Sequence, residues 1–160
     1  MIISHIVAMA KNHIIGRDNT IPWNIPGELL RFKELTMNKT VIMGRKTYES
    51  LEKKLKGRRI IVISNTLEAN DHEFILAKSI EEALDKAGNE HEVFIAGGGE
   101  LYKTTLDMAD KLYITVLDRE IEGTVFYPKI DKSLYDLTYE EHIGDASIPY
   151  TYYTYEKKGD

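Results

Sequence analysis

Ile21-Pro22-Trp23-Asn24-Ile25-Pro26-Gly27-Glu28-Leu29-Leu30-Arg31-Phe32 is the stretch on which the reading of this chain turns. It holds the only tryptophan and two of the four prolines. Pro26 suits the first position of a helix, where its missing N–H costs nothing. A helix over Pro26–Thr36 then puts Glu28 in the first turn, with Leu29 and Phe32 on one face. The carboxylate is open to two readings. It complements the helix dipole. Or its apolar neighbours desolvate it, raise its pKa and let it hold or relay a proton near neutrality.

Outward from this helix, short apolar runs alternate with helical patterns. Strands are predicted at 2–9, 40–43, 59–64, 92–96 and 111–117, and a Tyr-rich alternating pair from Tyr135 onward. Helices are predicted at 46–51, from the Ser79 N-cap to near Gly88, and at 99–108. This order predicts an α/β domain, mostly parallel with an antiparallel end, as a single unit over residues 1–160. Residues 11–25 show little regular pattern, and a loop of that length in a compact domain is usually functional, often a lid.

Composition bounds the function. A chain of 160 residues can bury a full core. No apolar run approaches membrane-spanning length. The apolar start lacks a preceding basic segment and reads as a buried strand, not a signal peptide. The absence of cysteine removes disulfides and thiolate chemistry and fits a reducing cytoplasm. A net charge of −5 argues against general nucleic-acid binding. Yet Arg45, Lys46, Lys53, Lys54, Lys56, Arg58 and Arg59 crowd one stretch, diluted only by Glu49 and Glu52. They form a solvated face or a local field that attracts anionic small molecules. His5, His13, His72, His91 and His142 are scattered, so no metal is expected and all five read as structural or surface residues.

Two strand–glycine–helix junctions stand out. Met43-Gly44-Arg45-Lys46-Thr47 offers N–H groups, a hydroxyl and basic side chains to phosphate. Phe94-Ile95-Ala96-Gly97-Gly98-Gly99-Glu100-Leu101-Tyr102 is not a dinucleotide fingerprint, because Tyr102 replaces its third glycine. Its three glycines mark either a tight turn or a close approach of ligand or backbone.

Together these pieces resemble the dihydrofolate reductase family over nearly the whole chain, in order and at similar spacing. The resemblance takes in Ile6 and Ala8, the Trp23–Glu28 signature, Met43-Gly44-Arg45 with Thr47, and Gly57-Arg58. It continues through Gly97-Gly98-Gly99 with Tyr102, Leu112-Tyr113-Ile114-Thr115 and Glu122-Gly123. It implies a sheet of about eight strands flanked by four helices. It also implies NADPH-dependent reduction of 7,8-dihydrofolate to tetrahydrofolate for one-carbon metabolism and thymidylate synthesis. A hydride would pass to pterin C6 and a proton to N5.

By the same resemblance, Glu28 binds the pterin and supports its protonation. Thr115 backs it through a hydroxyl, Trp23 holds an ordered water and Ile21 sits in the lid. Ile6, Val7, Ala8, Leu29, Phe32, Leu51, Leu55 and Ala96 line the substrate, and Arg58 takes the α-carboxylate of the glutamate tail. NADPH would meet Ala8, Ile15, Gly16, Asn19, Ile21, Gly44, Arg45, Lys46, Thr47, Ser64 and Asn65. It would also meet Ala96, Gly97, Gly98, Gly99, Glu100, Leu101 and Tyr102, with a cis peptide at Gly97-Gly98. The implied ligands are dihydrofolate and antifolate inhibitors; the expected state is a cytoplasmic monomer bound to neither nucleic acid nor membrane. Ala96 stands where the family usually has a larger residue, and Glu100 where many bacterial members have Arg.

Overall fold

β-branched residues crowd the strands that form the middle of the sheet. In this computed structural model, residues 1–16, 26–51, 55–66 and 74–159 are described, residues 16 and 26–29 through their backbone. The strands are β1 (Ile2–Ala10), β2 (Ile14–Gly16), β3 (Thr40–Gly44), β4 (Arg59–Ile63), β5 (Ile75–Ala77), β6 (Glu92–Ile95), β7 (Lys111–Leu117), β8 (Val125–Phe126), β9 (Tyr135–Ile143) and β10 (Tyr150–Lys157). The α-helices are α1 (Pro26–Thr36), α2 (Arg45–Glu49), α3 (Ile80–Ala87) and α4 (Gly99–Thr105). Single 3₁₀ turns follow at Leu106–Met108 and Lys132–Leu134.

Eight strands form one sheet in the order β5-β4-β3-β6-β1-β7-β10-β9. The strands from β5 to β7 run parallel, and β10 and β9 are antiparallel. This is the architecture that alternating elements followed by strands predict. β3 and β6 are buried at nearly every position, as parallel strands covered on both faces must be.

Several boundaries differ from the prediction. The helix expected at 46–51 is α2, Arg45–Glu49. The helix expected at 99–108 is α4 followed by a 3₁₀ turn, because Thr105, at φ −111° and ψ −2°, leaves α geometry. Within the irregular 11–25 stretch, Ile14–Gly16 pairs with Val125–Phe126 in a small second sheet. β5 is likewise a strand beyond those the sequence pattern predicts. These three strands have only two or three residues each, too few to display a period of two.

α3 starts as its sequence dictates. The Ser79 side chain accepts from the Glu82 N–H at 3.1 Å. The Glu82 carboxylate accepts from Lys78 N–H at 3.0 Å, one residue before the cap. That bond, helped by Lys86, lowers the Glu82 pKa. The helix stops at Gly88, whose φ of 72° suits glycine.

The chain path creates a crevice. From β1 it moves through β3 and β4 to β5 at one edge, then returns through β6 and β7. Right-handed crossovers in opposite directions put helices on opposite faces. Phe32 and Leu35 of α1 and Tyr48 of α2 pack with Ile6, Val41 and Phe94. Ala83 and Ala87 of α3 and Tyr102 of α4 pack with Val7, Ile42 and Ile95. Ligands of such sheets bind outside the carboxyl ends of the strands, where the two directions part. Here that place lies around the ends of β1, β3 and β6.

The opposite end of the sheet is polar and closed. Glu92, at the start of β6, accepts from Ser4 Oγ at 2.6 Å, Lys39 Nζ at 3.2 Å and Tyr113 Oη at 3.2 Å. Asp110 holds the first and last strands together. Its carboxylate accepts from Ile3 N–H at 2.9 Å, and its carbonyl accepts from Lys157 N–H at 2.8 Å.

Candidate active site

The two glycine junctions predicted from sequence meet in space. Gly44 N–H, at the end of β3, donates to Gly97 carbonyl at 2.9 Å. The Gly97-Gly98 peptide is cis. A side chain at any of the three would crowd its surroundings. At Gly97, with φ 109°, a Cβ would lie 3.2 Å from the Tyr102 ring. At Gly98 it would lie 3.2 Å from Thr47 Oγ1. At Gly99 it would lie 2.6 Å from Val125 Cγ1. The turn is therefore wedged between α2, β8 and the first turns of α4. Tyr102 supports it from below: the ring is buried and its hydroxyl donates to Ile6 carbonyl at 2.7 Å.

Beside this turn lies an apolar cluster. Ile6 and Phe94 are buried in it, and Phe32, Leu51, Leu55, Ala96 and Tyr113 pack against it. The sheet register sets Ala8 opposite Thr115, whose side chain is buried. Alternation along β1 sends Val7 to the other face, where it packs with Ile15 and Tyr102. The Val7 side chain is thus turned away from the Phe32–Leu51–Leu55 side, and only its backbone remains there.

Arg58 sits at the foot of α1. The preceding carbonyl, of Gly57, accepts from Asn38 N–H at 2.7 Å, just beyond that helix. The Arg58 Nε and Nη1 atoms are buried and have no hydrogen-bond partner among the described residues. Desolvation pulls the guanidinium pKa down. A buried donor without an acceptor is costly. An anionic ligand group would supply the acceptor, and a carboxylate matches the guanidinium fork in two parallel bonds.

The remaining predicted residues divide plainly. Arg45 pairs with Glu49 one helical turn on, and Lys46 is exposed. Ser64 is buried just after β4, its hydroxyl accepting from Thr66 N–H at 3.2 Å, and Asn65 is exposed. Glu100 is exposed in the first turn of α4, and Leu101 packs into the core beneath. Gly16 ends β2. Asn19, Ile21 and Trp23 lie outside the described residues, as do the side chains of Glu28 and Leu29, although α1 places the Glu28 backbone in its first turn as expected. Among the described residues no group of His, Cys, Asp and Glu could hold a metal ion. Thr105 and Tyr127 carry no local signal in the sequence, and His5 reads there only as a structural or surface residue. A histidine inside a strand whose other residues, Ser4 apart, are apolar is the available signal.

The family model described as dihydrofolate reductase matches residues 2–157. The chain belongs to the dihydrofolate reductase family. The dihydrofolate reductase of Bacillus subtilis is 37% identical over 159 residues, covering 98% of this chain and 95% of that one. That of Haemophilus influenzae is 40% identical over 143 residues, covering 89% and 88%. Among solved structures, a dihydrofolate reductase from Enterococcus faecalis complexed with NADP(H) and RAB-propyl superposes with a TM-score of 0.90 at 28% identity, covering 99% and 97% of the two chains. In this dihydrofolate reductase family member, the glycine junctions meet where Gly44 N–H donates to Gly97 carbonyl, and Arg58 follows Gly57, whose carbonyl accepts from Asn38 N–H just beyond α1.

Proposed function

We propose that this chain reduces 7,8-dihydrofolate to 5,6,7,8-tetrahydrofolate with NADPH. The observation that carries the reading is the Arg58 guanidinium, whose buried Nε and Nη1 have no partner among the described residues, taken together with the apolar Phe32–Leu51–Leu55 cluster. α1 has 11 residues, so its two ends stand about 15 Å apart at 1.5 Å per residue. Glu28 is at one end and Arg58 beside the other. A molecule with a polar heteroaromatic head, an aromatic middle and an anionic tail suits that spacing, and dihydrofolate is such a molecule.

The residues present also fit NADPH. The cis Gly97-Gly98 turn against Gly44 leaves no Cβ in the crevice, and Thr47 adds a hydroxyl beside Gly98. Lys46 adds positive charge at the mouth. NADPH supplies the hydride when bound. The protein does the rest. Glu28 binds the pterin amino group and ring nitrogen and supports protonation at N5, with Thr115 behind it. Arg58 fixes the tail and so the register of the pterin over the cofactor. Phe32, Leu51 and Leu55 exclude water, which strengthens the polar contacts. The product serves one-carbon transfer and thymidylate synthesis. We place the enzyme in the cytoplasm as a monomer, on its cysteine-free composition and its bacterial relatives.

Mixing the protein with NADPH and dihydrofolate and following absorbance in the nicotinamide band tests the reading. Loss of absorbance that requires both reactants is expected. No loss, with either NADPH or dihydrofolate failing to bind, would overturn it.

A further inference from the structure

Three polar side chains from distant parts of the chain meet inside the core on the α4 side. His5 of β1 is fully buried. Its Nδ1 lies 2.8 Å from Tyr127 Oη, and its Nε2 lies 2.8 Å from Thr105 Oγ1. The direction of each bond follows from counting protons. Thr105 Oγ1 also lies 2.6 Å from Leu101 carbonyl, which can only accept. The single Thr105 proton is therefore committed to Leu101. At His5, Thr105 must accept, so Nε2 carries the hydrogen. Neutral imidazole then presents a lone pair at Nδ1, and Tyr127 donates to it. Every donor and acceptor in the triad is satisfied in this one tautomer.

The triad joins the elements that surround the glycine turn. Thr105 ends α4, whose start is the turn itself. Tyr127 directly follows β8, and its N–H donates to His13 carbonyl at 2.9 Å, in the turn that leads into β2. The Tyr127 ring packs edge-on against Tyr102 with centroids 5.1 Å apart. His5 itself contacts Tyr102 at 5.2 Å between centroids. Tyr102 in turn walls Gly97 and donates to Ile6 carbonyl. An apolar trio would fill the same space without fixing these separations. Fully satisfied polar networks rigidify and specify one packing.

We propose that His5 is a positioning residue for cofactor binding: through Thr105 and Tyr127 it pins α4 and the end of β8 to β1, and so sets where Tyr102 and the Gly97–Gly99 turn stand. The consequence for NADPH rests on the function proposed above; the positioning itself does not.

Tyr127→Phe removes the donor to Nδ1 and keeps the ring. In the ligand-free protein, the backbone amide resonances of Gly97, Gly98 and Gly99 should shift. Residues that act through packed neighbours modulate binding by roughly two- to thirtyfold. The NADPH KM should rise about five- to tenfold, with kcat and the dihydrofolate Kd within about twofold of the parent. His5→Leu should give the same pattern, and adding Tyr127→Phe to it should cost little more, because the bond between the two residues is already broken. Unmoved glycine amides, or equal weakening of both ligands with a lower Tm, would overturn the proposal. The ring nitrogens of His5 in the unmutated protein give a check that needs no variant: nitrogen NMR must find the hydrogen on Nε2. A hydrogen on Nδ1 would overturn the network. A parent that binds no NADPH while the glycine amides still respond would sink the proposed function and leave the positioning intact.

Discussion

Arg58 permits a prediction in which two measurements move in opposite directions. Its buried Nε and Nη1 have no partner among the described residues, so the free protein bears their desolvation. Arg58→Leu removes that burden and should raise the Tm measured without ligand. It should weaken dihydrofolate by about 2–5 kcal/mol, the cost of truncating one partner of a buried charge pair, and leave NADPH affinity unchanged. A lower Tm with equal loss of both ligands would mean that Arg58 holds the fold instead. Glu28→Gln keeps the shape and removes the acid. kcat/KM at neutral pH should drop by about 10²–10⁴-fold and recover partly at low pH, where substrate arrives protonated. A pH profile parallel to that of the parent would remove Glu28 from proton transfer. Both residues enter the reading through the family resemblance, Glu28 by the Trp23–Glu28 signature and Arg58 by Gly57-Arg58. The bonds among His5, Thr105 and Tyr127 were not legible in the sequence. About 100 residues separate the first two and 122 the first from the third, and no local pattern announces a bond across such distances.

Among the secondary structural elements, α4 is closely confined at its start. A Cβ at Gly99 would approach Val125 Cγ1 to 2.6 Å and Phe126 carbonyl to 3.5 Å. Gly99→Ala must therefore shift the Val125 side chain, and with it β8 or the helix where that side chain cannot give way. Because β8 pairs with β2, the displacement would reach Ile14 and Gly16. Overpacking typically costs about 1–3 kcal/mol. Urea unfolding should show that loss, and NADPH should bind more weakly, whereas Gly159→Ala, where nothing lies within 4 Å, should change neither. Identical unfolding of the Gly99→Ala variant and the parent would show that β8 yields freely. The longer elements were readable in advance for physical reasons. β1, β4 and β7 announce themselves through β-branched runs, and α3 through Ser79 and Glu82. β2, β5 and β8 are held by their partners rather than by their own composition, so the periodicity that reveals a strand has no room to appear.

Burial of neutral His5 also has a cost that the molecule as a whole bears. The ring is packed by Tyr102, Thr105 and Tyr127, with Ile95 and Leu112 as its neighbours in the sheet, and none of these brings a charge to it. Burial pushes its pKa from 6.5 to about 3. As pH falls through 6.5, the unfolded chain takes up a proton at this site and the native protein does not. Stability is then lost progressively until the pH nears 3, where the folded form is protonated too. Combining His5→Leu, Thr105→Val and Tyr127→Phe removes the group and its partners together. Urea unfolding at pH 7 and pH 5 should show a smaller drop in that variant than in the parent; equal drops would trace the acid sensitivity to other groups. The opposite end of the sheet leads elsewhere. Asp110 receives one hydrogen bond from the first strand and one from the last, at 2.9 Å and 2.8 Å. Residues 3 and 157 thus lie on either side of one residue, about 10 Å apart at two strand spacings, so a few glycines would join the ends of β1 and β10. The chain could then be reopened in the exposed turn at Gly144-Asp145, between β9 and β10. Such a circular permutant would begin with β10 and end with β9, yet keep every strand beside its present neighbours and the ligand crevice untouched. The order in which this protein is written is one of several spellings of the same sheet.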